Sequence, residues 1–166
     1  MTHEELPIYT DGSYYAGVGG WAWAVETEIW QRGSHQGVAV INNTMEIQAV
    51  IKAIRWFTWI QNGLTNCADL LIVTDSQYVA YPFTEGWLYN TWIPRNWRNA
   101  SGCRLKNVSH WKQLVDAYES YPGTINFLHI RGHGKAHVDT DVGHVMGNSI
   151  ADYHAGEARK ERMMMK

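Results

Sequence analysis

The spacing of apolar residues changes twice along the chain, and this change limits the folds open to it. Residues 19–25 alternate large and small side chains, as a strand with two different faces does. Across residues 47–60 the apolar positions recur at helical spacing, and Asn62-Gly63 marks a helix stop. Residues 70–73 are a continuous apolar run, typical of a strand buried on both faces. The pattern predicts strands and helices built around one sheet.

The remaining elements complete an α/β domain. Residues 6–10 are predicted to form a first strand that ends at Asp11, and glycine-rich turns join it to strands at 19–25 and 28–40 in an antiparallel meander. The strand at 70–73 follows a helical crossover, so we expect it to lie parallel to the first. Also predicted are helices at 76–83, 108–121 and about 148–161, a strand at 125–130 and irregular structure at 86–104. The prediction is a single domain over residues 1–166, with a mixed five-stranded sheet, three strands antiparallel and then two parallel, flanked by helices.

Composition is that of a globular intracellular protein. The 166 residues fit one domain, and no apolar run reaches the length of a membrane-spanning helix. Cys67 and Cys103 are too few for a disulfide framework or a metal-binding cluster. Because no secretory signal is visible, we expect a reduced, cytoplasmic protein. No obligate protein partner is implied, and we expect a monomer.

Charge is distributed unevenly along a chain whose net charge is −2. Residues 86–115 contain five basic residues and no acid, so the rest of the chain carries −7. The basic residues are Arg95, Arg98, Arg104, Lys106 and Lys112. A basic stretch on an acidic protein is typical of a nucleic-acid contact, and the acidic remainder suits a site for cations.

Four acidic residues lie at predicted strand ends and helix starts. Asp11 and Asp75 each follow a strand, whereas Glu46 and Asp152 each lie near the start of a helix. If the first and fourth strands are parallel neighbours, Asp11 and Asp75 leave the same sheet edge, where such folds bind ligands. Four carboxylates there would repel one another unless divalent cations neutralised them. Two such ions can activate a water and stabilise the leaving oxygen of a phosphodiester.

Each acid also has a local explanation that needs no metal. Asp11 precedes a glycine and could be a turn residue. Glu46 follows Asn43 by three positions and could complete a capping box. Asp75 could be an ordinary N-cap, and Asp152 a solvated acid in the first turn of a helix. The residue types alone leave these alternatives open.

The phrases around the four acids resemble those of the type 1 ribonuclease H family over nearly the whole chain. They are Thr10-Asp11-Gly12-Ser13, Asn42-Asn43-x-Met45-Glu46, Thr74-Asp75-Ser76-Gln77-Tyr78-Val79 and Gly147-Asn148-x-x-Ala151-Asp152. The resemblance implies a ribonuclease H-like fold and a stand-alone endonuclease that hydrolyses the RNA strand of RNA–DNA hybrids. It implies two Mg²⁺ ions per site with substrate bound, for which Mn²⁺ can substitute. It also implies that the metal-binding, catalytic residues are Asp11, Glu46, Asp75 and Asp152.

A further catalytic candidate follows the fifth strand. The phrase Ile130-Arg131-Gly132-His133-Gly134 resembles the family's strand-to-loop phrase. This implies that His133 is a mobile catalytic histidine, which moves protons at the leaving group or helps product release. The residue types alone also allow an ordinary histidine in an exposed, glycine-rich loop. The loop that follows, residues 135–146, is longer than the family pattern, and we interpret it as a solvated insertion.

Residues 86–107 resemble the basic protrusion with which some members of the family bind the DNA strand. Basic side chains there would contact phosphates, and tryptophans would offer flat faces to sugars or bases. Alternatively, the tryptophans only anchor the segment. The candidates for contact are Trp87, Trp92, Arg95, Trp97, Arg98 and Lys106.

Distinguishing RNA from DNA requires contact with the 2′-hydroxyl group in a shallow minor groove. Asn43 and Gln77 can each donate and accept hydrogen bonds and adjoin acidic phrases, although local capping is their alternative role. Ser13 and Asn42 are further candidates. Asn148 is also placed among the hybrid contacts, where it would tune the site or cap the last helix.

Other functions stay open at this point. A DNA nuclease of the same fold, such as a junction resolvase or an integrase-like enzyme, would need neither 2′-hydroxyl contacts nor a basic protrusion. A non-catalytic hybrid-binding module would be expected to lack one or more of the four acids, and all four are present. An origin as a domain of a reverse transcriptase is a further alternative.

Overall fold

The computed structural model describes residues 5–26, 28–36, 41–61, 67–132 and 141–165. The strands are β1 (Glu5–Tyr15), β2 (Val18–Val25), β3 (Glu28–Gln36), β4 (Asp69–Thr74) and β5 (Ile125–His129). The helices are α1 (Asn42–Ile60), α2 (Gln77–Thr84), α3 (Val108–Ser120) and α4 (Val142–Met164). Within these ranges, no helix combines the length and apolar character needed to cross a lipid bilayer.

The five strands form one mixed sheet in the order β3-β2-β1-β4-β5. β2 is antiparallel to both β1 and β3, whereas β4 is parallel to both β1 and β5. This confirms the predicted fold class, including the parallel pairing of the first and fourth strands. A helical crossover between parallel strands returns the chain in the same direction, which is why the pairing could be expected.

Helices cover both faces of the sheet, so the molecule has two cores. Ile8 and Ile72 belong to the larger core, which they share with residues of α1 and α3. Tyr9 and Val73, the next residues along β1 and β4, pack instead with Ala151 of α4. Successive side chains of a strand point to opposite faces, and here both faces are apolar and buried.

β1 is longer than predicted, and this changes where Asp11 lies. Parallel pairing with β4 ends at Tyr9, but antiparallel pairing with β2 continues to Tyr15. Asp11 therefore lies inside β1, and the prediction of a strand end there is wrong. The turn falls instead at Ala16-Gly17, where both residues have positive φ, 51° and 79°, as a two-residue hairpin turn requires.

α4 begins earlier than predicted. Its N-cap is Asp141, whose side chain accepts a hydrogen bond of 2.6 Å from a backbone N–H two residues on. Asp152 therefore lies in the middle of the helix, not in its first turn, and residues 142–146 are helical rather than part of an inserted loop. The hydroxyl of Tyr9 lies 2.9 Å from Nδ1 of His144, which joins the first turn of α4 to β1.

Candidate active site

The structure brings the four predicted acids to one place. Asp11 of β1, Glu46 of α1 and Asp75, directly after β4, each place a carboxylate oxygen within 4.8 Å of the other two. All three line a cavity of about 560 Å³, and Asp152 of α4 lines it with them. Asp152 also forms a side-chain hydrogen bond with Asp11 that contributes to raising the pKa of Asp11.

Glu46 reaches the cluster because α1 packs very close to β1. A Cβ atom at Gly12 would lie 2.5 Å from the backbone nitrogen of Glu46 and 2.6 Å from the carbonyl carbon of Met45. Only glycine leaves room for this approach. The contact places the fifth residue of α1 against β1, where the Glu46 side chain is 4% exposed.

The caps of the two nearby helices are supplied by other residues. The N-cap of α1 is Ile41, and no side chain within the described residues caps that helix end, so Glu46 does not form a capping box with Asn43. The N-cap of α2 is Ser76, whose hydroxyl accepts a hydrogen bond of 3.3 Å from the helix backbone. Asp75 is therefore not an N-cap. The local explanations for Glu46 and Asp75 are wrong, and both carboxylates face the cavity.

Burial and mutual repulsion raise the pKa values of the two innermost carboxyl groups. Asp11 is 3% exposed, and burial, followed by the charges of Glu46 and Asp75, raises its pKa well above the usual range. Burial and the neighbouring charge of Asp75 raise the pKa of Glu46 to about 8. A protonated pair can share a hydrogen bond, and this relieves part of the repulsion.

The donor set fits a hard divalent cation. Oε2 of Glu46 is buried and has no hydrogen-bond partner among the described residues. A buried carboxylate oxygen without a partner is unfavourable unless a cation binds it. Carboxylate oxygens are also the ligands that Mg²⁺ prefers, with water completing its shell. The open cavity beside the cluster provides room for that water.

Most of the predicted polar contacts line the same cavity. They are Ser13, Asn42, Asn43 and Gln77. The asparagines occupy the first turn of α1, and Gln77 begins α2. Asn148 is different: it is 2% exposed within α4, and its Oδ1 has no hydrogen-bond partner in the described part of the chain. Asn148 does not cap α4, because the N-cap is Asp141.

The tryptophans of the 86–107 segment divide between core and surface. Trp92 is buried, and its ring meets Trp111 edge to face with centroids 5.1 Å apart. This packing means that Trp92 anchors the segment and exposes little of its ring, so its predicted contact with DNA stays a prediction. Trp97 is half-buried against the same core. Trp87 is 44% exposed and keeps a surface that a nucleic acid could reach.

The basic residues of this segment are all on the surface. Arg95, Arg98 and Lys106 are exposed. The guanidinium of Arg95 donates to the carbonyl oxygen of Ala100, and that of Arg98 donates to the carbonyl oxygen of Gly102, each over 3.1 Å. These bonds hold the two arginines within the turns that follow a π-helical turn at Leu88–Trp92, and each bond uses one of the five N–H groups of its guanidinium.

Tyr78 is a cavity residue whose role the sequence did not indicate. Its hydroxyl accepts hydrogen bonds from Nε1 of Trp111, at 3.0 Å, and from Nδ2 of Asn107, at 3.2 Å. Oδ1 of Asn107 in turn accepts a bond of 3.4 Å from the hydroxyl of Thr44. The network joins the starts of α1, α2 and α3, so it supports the cavity wall from behind. Its partners are about 30 or more positions apart, and no local pattern could reveal them.

His133 lies outside the described residues, as do residues 135–140 of the predicted insertion. The chain passes the acidic cluster immediately before it. A Cβ atom at Gly132 would lie 2.4 Å from Oδ2 of Asp75, so glycine allows the backbone to touch the carboxylate.

A comparison of the sequence with profiles of protein families identifies the family to which this chain belongs. The profile named RNase H matches residues 3–160. The chain belongs to the RNase H family. The curated Ribonuclease H of Neorickettsia sennetsu is 33% identical over 158 residues, which cover 90% of this chain and 95% of the relative. Membership of the RNase H family makes the chain a ribonuclease H enzyme, as the resemblance of its motifs predicted.

Solved structures of the RNase H family share the fold. The solution structure of the PFV RNase H domain is 25% identical, with a TM-score of 0.68 and coverage of 95% of both chains. The crystal structure of LC11-RNase H1 in complex with RNA/DNA hybrid has a TM-score of 0.63 and covers 96% of this chain and 99% of that one. Its identity is 15%, so this second likeness concerns the fold alone.

Proposed function

We propose that the chain is an endonuclease that hydrolyses the RNA strand of RNA–DNA hybrids by two-metal-ion catalysis. The observation that carries this proposal is the cluster of Asp11, Glu46 and Asp75, joined by Asp152, in one open cavity. A relative supports the substrate, because the 33% identical protein of Neorickettsia sennetsu is a curated Ribonuclease H. The cytoplasmic location, the monomeric state and the single domain with a protrusion at 86–107 stay predictions.

The four acids would hold two Mg²⁺ ions when substrate is bound, with Mn²⁺ able to replace them. When bound, such ions lower the pKa of a water nucleophile and neutralise charge on the leaving oxygen. Because burial and repulsion raise the pKa values of Asp11 and Glu46, these residues must release protons for the site to bind cations. The chain's own carboxyls therefore make metal affinity increase with pH.

Side chains around the acids would select the substrate. Asn43 of α1 and Gln77 of α2 both line the cavity, and each amide can donate to and accept from a 2′-hydroxyl group. The DNA strand would pass the exposed side chains of the 86–107 segment, where Trp87 offers a ring face and Arg95 a charge. A DNA nuclease would have no use for the amide pair, which favours the hybrid.

We expect cleavage of the hybrid to require Mg²⁺ or Mn²⁺ and to exceed cleavage of duplex DNA by about a hundredfold or more, because a site built for a hydroxyl group discriminates strongly against its absence. The measurement uses one labelled sequence as hybrid, duplex DNA, duplex RNA and single-stranded RNA, with each metal and with EDTA. Equal cutting of duplex DNA would favour the DNA-nuclease alternative. Binding of the hybrid without cleavage in either metal would favour a non-catalytic module.

Replacing His133 with alanine should slow the reaction without abolishing it. A side chain that only assists proton transfer or product release contributes about a hundredfold, whereas the acids hold the reacting groups. Single-turnover rates at pH 7 would be compared with those of His154→Ala, which removes a histidine that is hydrogen-bonded to Arg32 and does not line the cavity. If His133→Ala and His154→Ala cleave equally fast, His133 has no catalytic role.

A further inference from the structure

Arg159 of α4 contacts the wall of the cavity. Its Nε donates a hydrogen bond of 2.9 Å to the hydroxyl of Ser13, and Ser13 lines the cavity that contains the acids. Arg159 follows Asp152 by seven positions, which is two helical turns, so both side chains lie on the same face of α4. The guanidinium therefore lies at the rim of the cavity, beside β1.

Three contacts hold Arg159 in this position. A Cβ atom at Gly20 would lie 2.6 Å from the backbone nitrogen of Arg159 and 2.1 Å from the carbonyl oxygen of Ala155, so α4 packs directly on β2. Gly20 is the sheet partner of Ser13. The guanidinium also lies 5.9 Å from the ring centroid of Tyr15, within cation–π range. The backbone packing on Gly20, the hydrogen bond to Ser13 and the contact with the Tyr15 ring together fix the position of the guanidinium.

The charge of Arg159 is not neutralised within the described part of the chain, where it forms no ion pair. Two of its five N–H groups are engaged, one with Ser13 and one with the sulfur of Met163, at 3.4 Å. Among the described residues, no lysine or arginine lines the cavity itself. Without cations, a cavity lined by four acids repels phosphate, so an unpaired guanidinium at its rim adds an attraction that the chain itself supplies.

We propose that Arg159 binds a backbone phosphate of the strand that crosses the acidic cluster. The inference rests on the proposed function, since it assumes that the cavity binds a hybrid. Asp11 and Ser13 are two positions apart on β1, about 7 Å along the strand. The phosphate at Arg159 would therefore neighbour the phosphate at the acids. Arg159 is in this way a substrate-binding residue that fixes the register of the strand.

The test measures the affinity for a labelled hybrid over a range of salt concentrations, by fluorescence anisotropy, in an Asp75→Asn background that does not consume the hybrid. Arg159→Gln should raise Kd about tenfold near 0.1 M salt and reduce the slope of log K against log salt by about 0.9, the effect of one phosphate contact. In the active protein the same change should raise KM about tenfold and leave kcat within about twofold.

The matched control is Lys160→Gln, which removes the next cation on α4. Lys160 is 60% exposed and pairs with Glu157 at 3.5 Å, away from the cavity lining. Its loss should change the salt slope by less than about 0.3, since no phosphate contact is removed. Equal slopes for Arg159→Gln and Lys160→Gln would overturn the proposal.

A second variant keeps the test decisive if Arg159→Gln does not fold. Arg159→Lys retains the charge but loses the bond from Nε to Ser13, so it should keep the salt slope and raise Kd about threefold. An unchanged Kd in that variant would contradict the proposal. Failure of the proposed function would give a different experimental result. If the wild-type protein binds the hybrid without cutting it, the proposed function is refuted. The affinity measurements on the Arg159 variants then still test the phosphate contact independently.

Discussion

Replacing Asp75 with asparagine should lower kcat by about a thousandfold or more, because the change removes a charge that would otherwise stabilise the transition state by several kcal/mol through bound cations. Asparagine has nearly the same size, so the cavity keeps its shape. Hybrid binding should stay within about tenfold, because it is spread over many contacts with the phosphates. Single-turnover cleavage and anisotropy would measure the two quantities on the same preparation.

Asp116→Asn is the matched control for this change. Asp116 is exposed on α3 and lines a different groove, so the same substitution there alters the net charge equally and leaves the cluster intact. It should cleave at the rate of the wild type. If Asp75→Asn retains activity, the metal-ligand role of Asp75 is refuted. If it loses hybrid binding as well, the residue supports binding rather than turnover.

The metal-free protein should become less stable as pH rises from about 5 to 9, and Glu46→Gln should remove the part of this loss that Glu46 contributes. Burial and Asp75 raise the folded-state pKa of Glu46 to about 8 from 4.5. The folded protein therefore keeps a proton that the unfolded chain releases, and stability falls with pH between these two values. The wild type should lose on the order of 3 kcal/mol of unfolding free energy relative to Glu46→Gln.

Urea unfolding in EDTA, from pH 5 to pH 9, would measure this difference. Glu85→Gln serves as the control, because Glu85 is exposed and the same change there should leave the pH dependence unaltered. Adding Mg²⁺ at pH 8 should stabilise the wild type more than Glu46→Gln, because a cation that binds only the folded state raises its stability. If the unfolding free energies of the wild type and of Glu46→Gln change with pH in parallel, the pKa of Glu46 is not raised in the folded protein.

Much of the fold and of the cluster could be predicted from the sequence because both follow from periodicity and topology. The helical spacing after the meander requires a crossover, and a crossover makes β4 parallel to β1. Asp11 and Asp75 then lie just beyond the parallel-paired part of two adjacent strands, at the same edge of the sheet. Glu46 and Asp152 could be added because their phrases resemble the family, but the residues alone left their capping and surface roles open.

Other features depended on contacts that no local pattern reports. β1 continues past Asp11 because β2 supplies its hydrogen bonds, while the sequence shows only the glycine that follows. The start of α4 was hidden by Gly143 and Gly147, which are poor helix formers. A Cβ atom at Gly147 would lie 2.3 Å from the ring of Tyr9, so packing rather than helix propensity selects glycine there. The bond between Arg159 and Ser13 spans 146 positions.

The end of the parallel pairing at Tyr9 has a consequence for cation binding. Beyond that point β1 keeps its bonds to β2 but no longer pairs with β4, and Asp11 lies just past the place where the pairing ends. β1, α1 and α4 hold three of the acids and Asp75 directly follows β4, so regular elements largely set the distances between the carboxylates. The free-energy cost of bringing the carboxylates together is part of the folding free energy. The ligands are therefore already in position before any ion binds. Little rearrangement would oppose binding, so proton release from the acids is left as the principal limit on affinity.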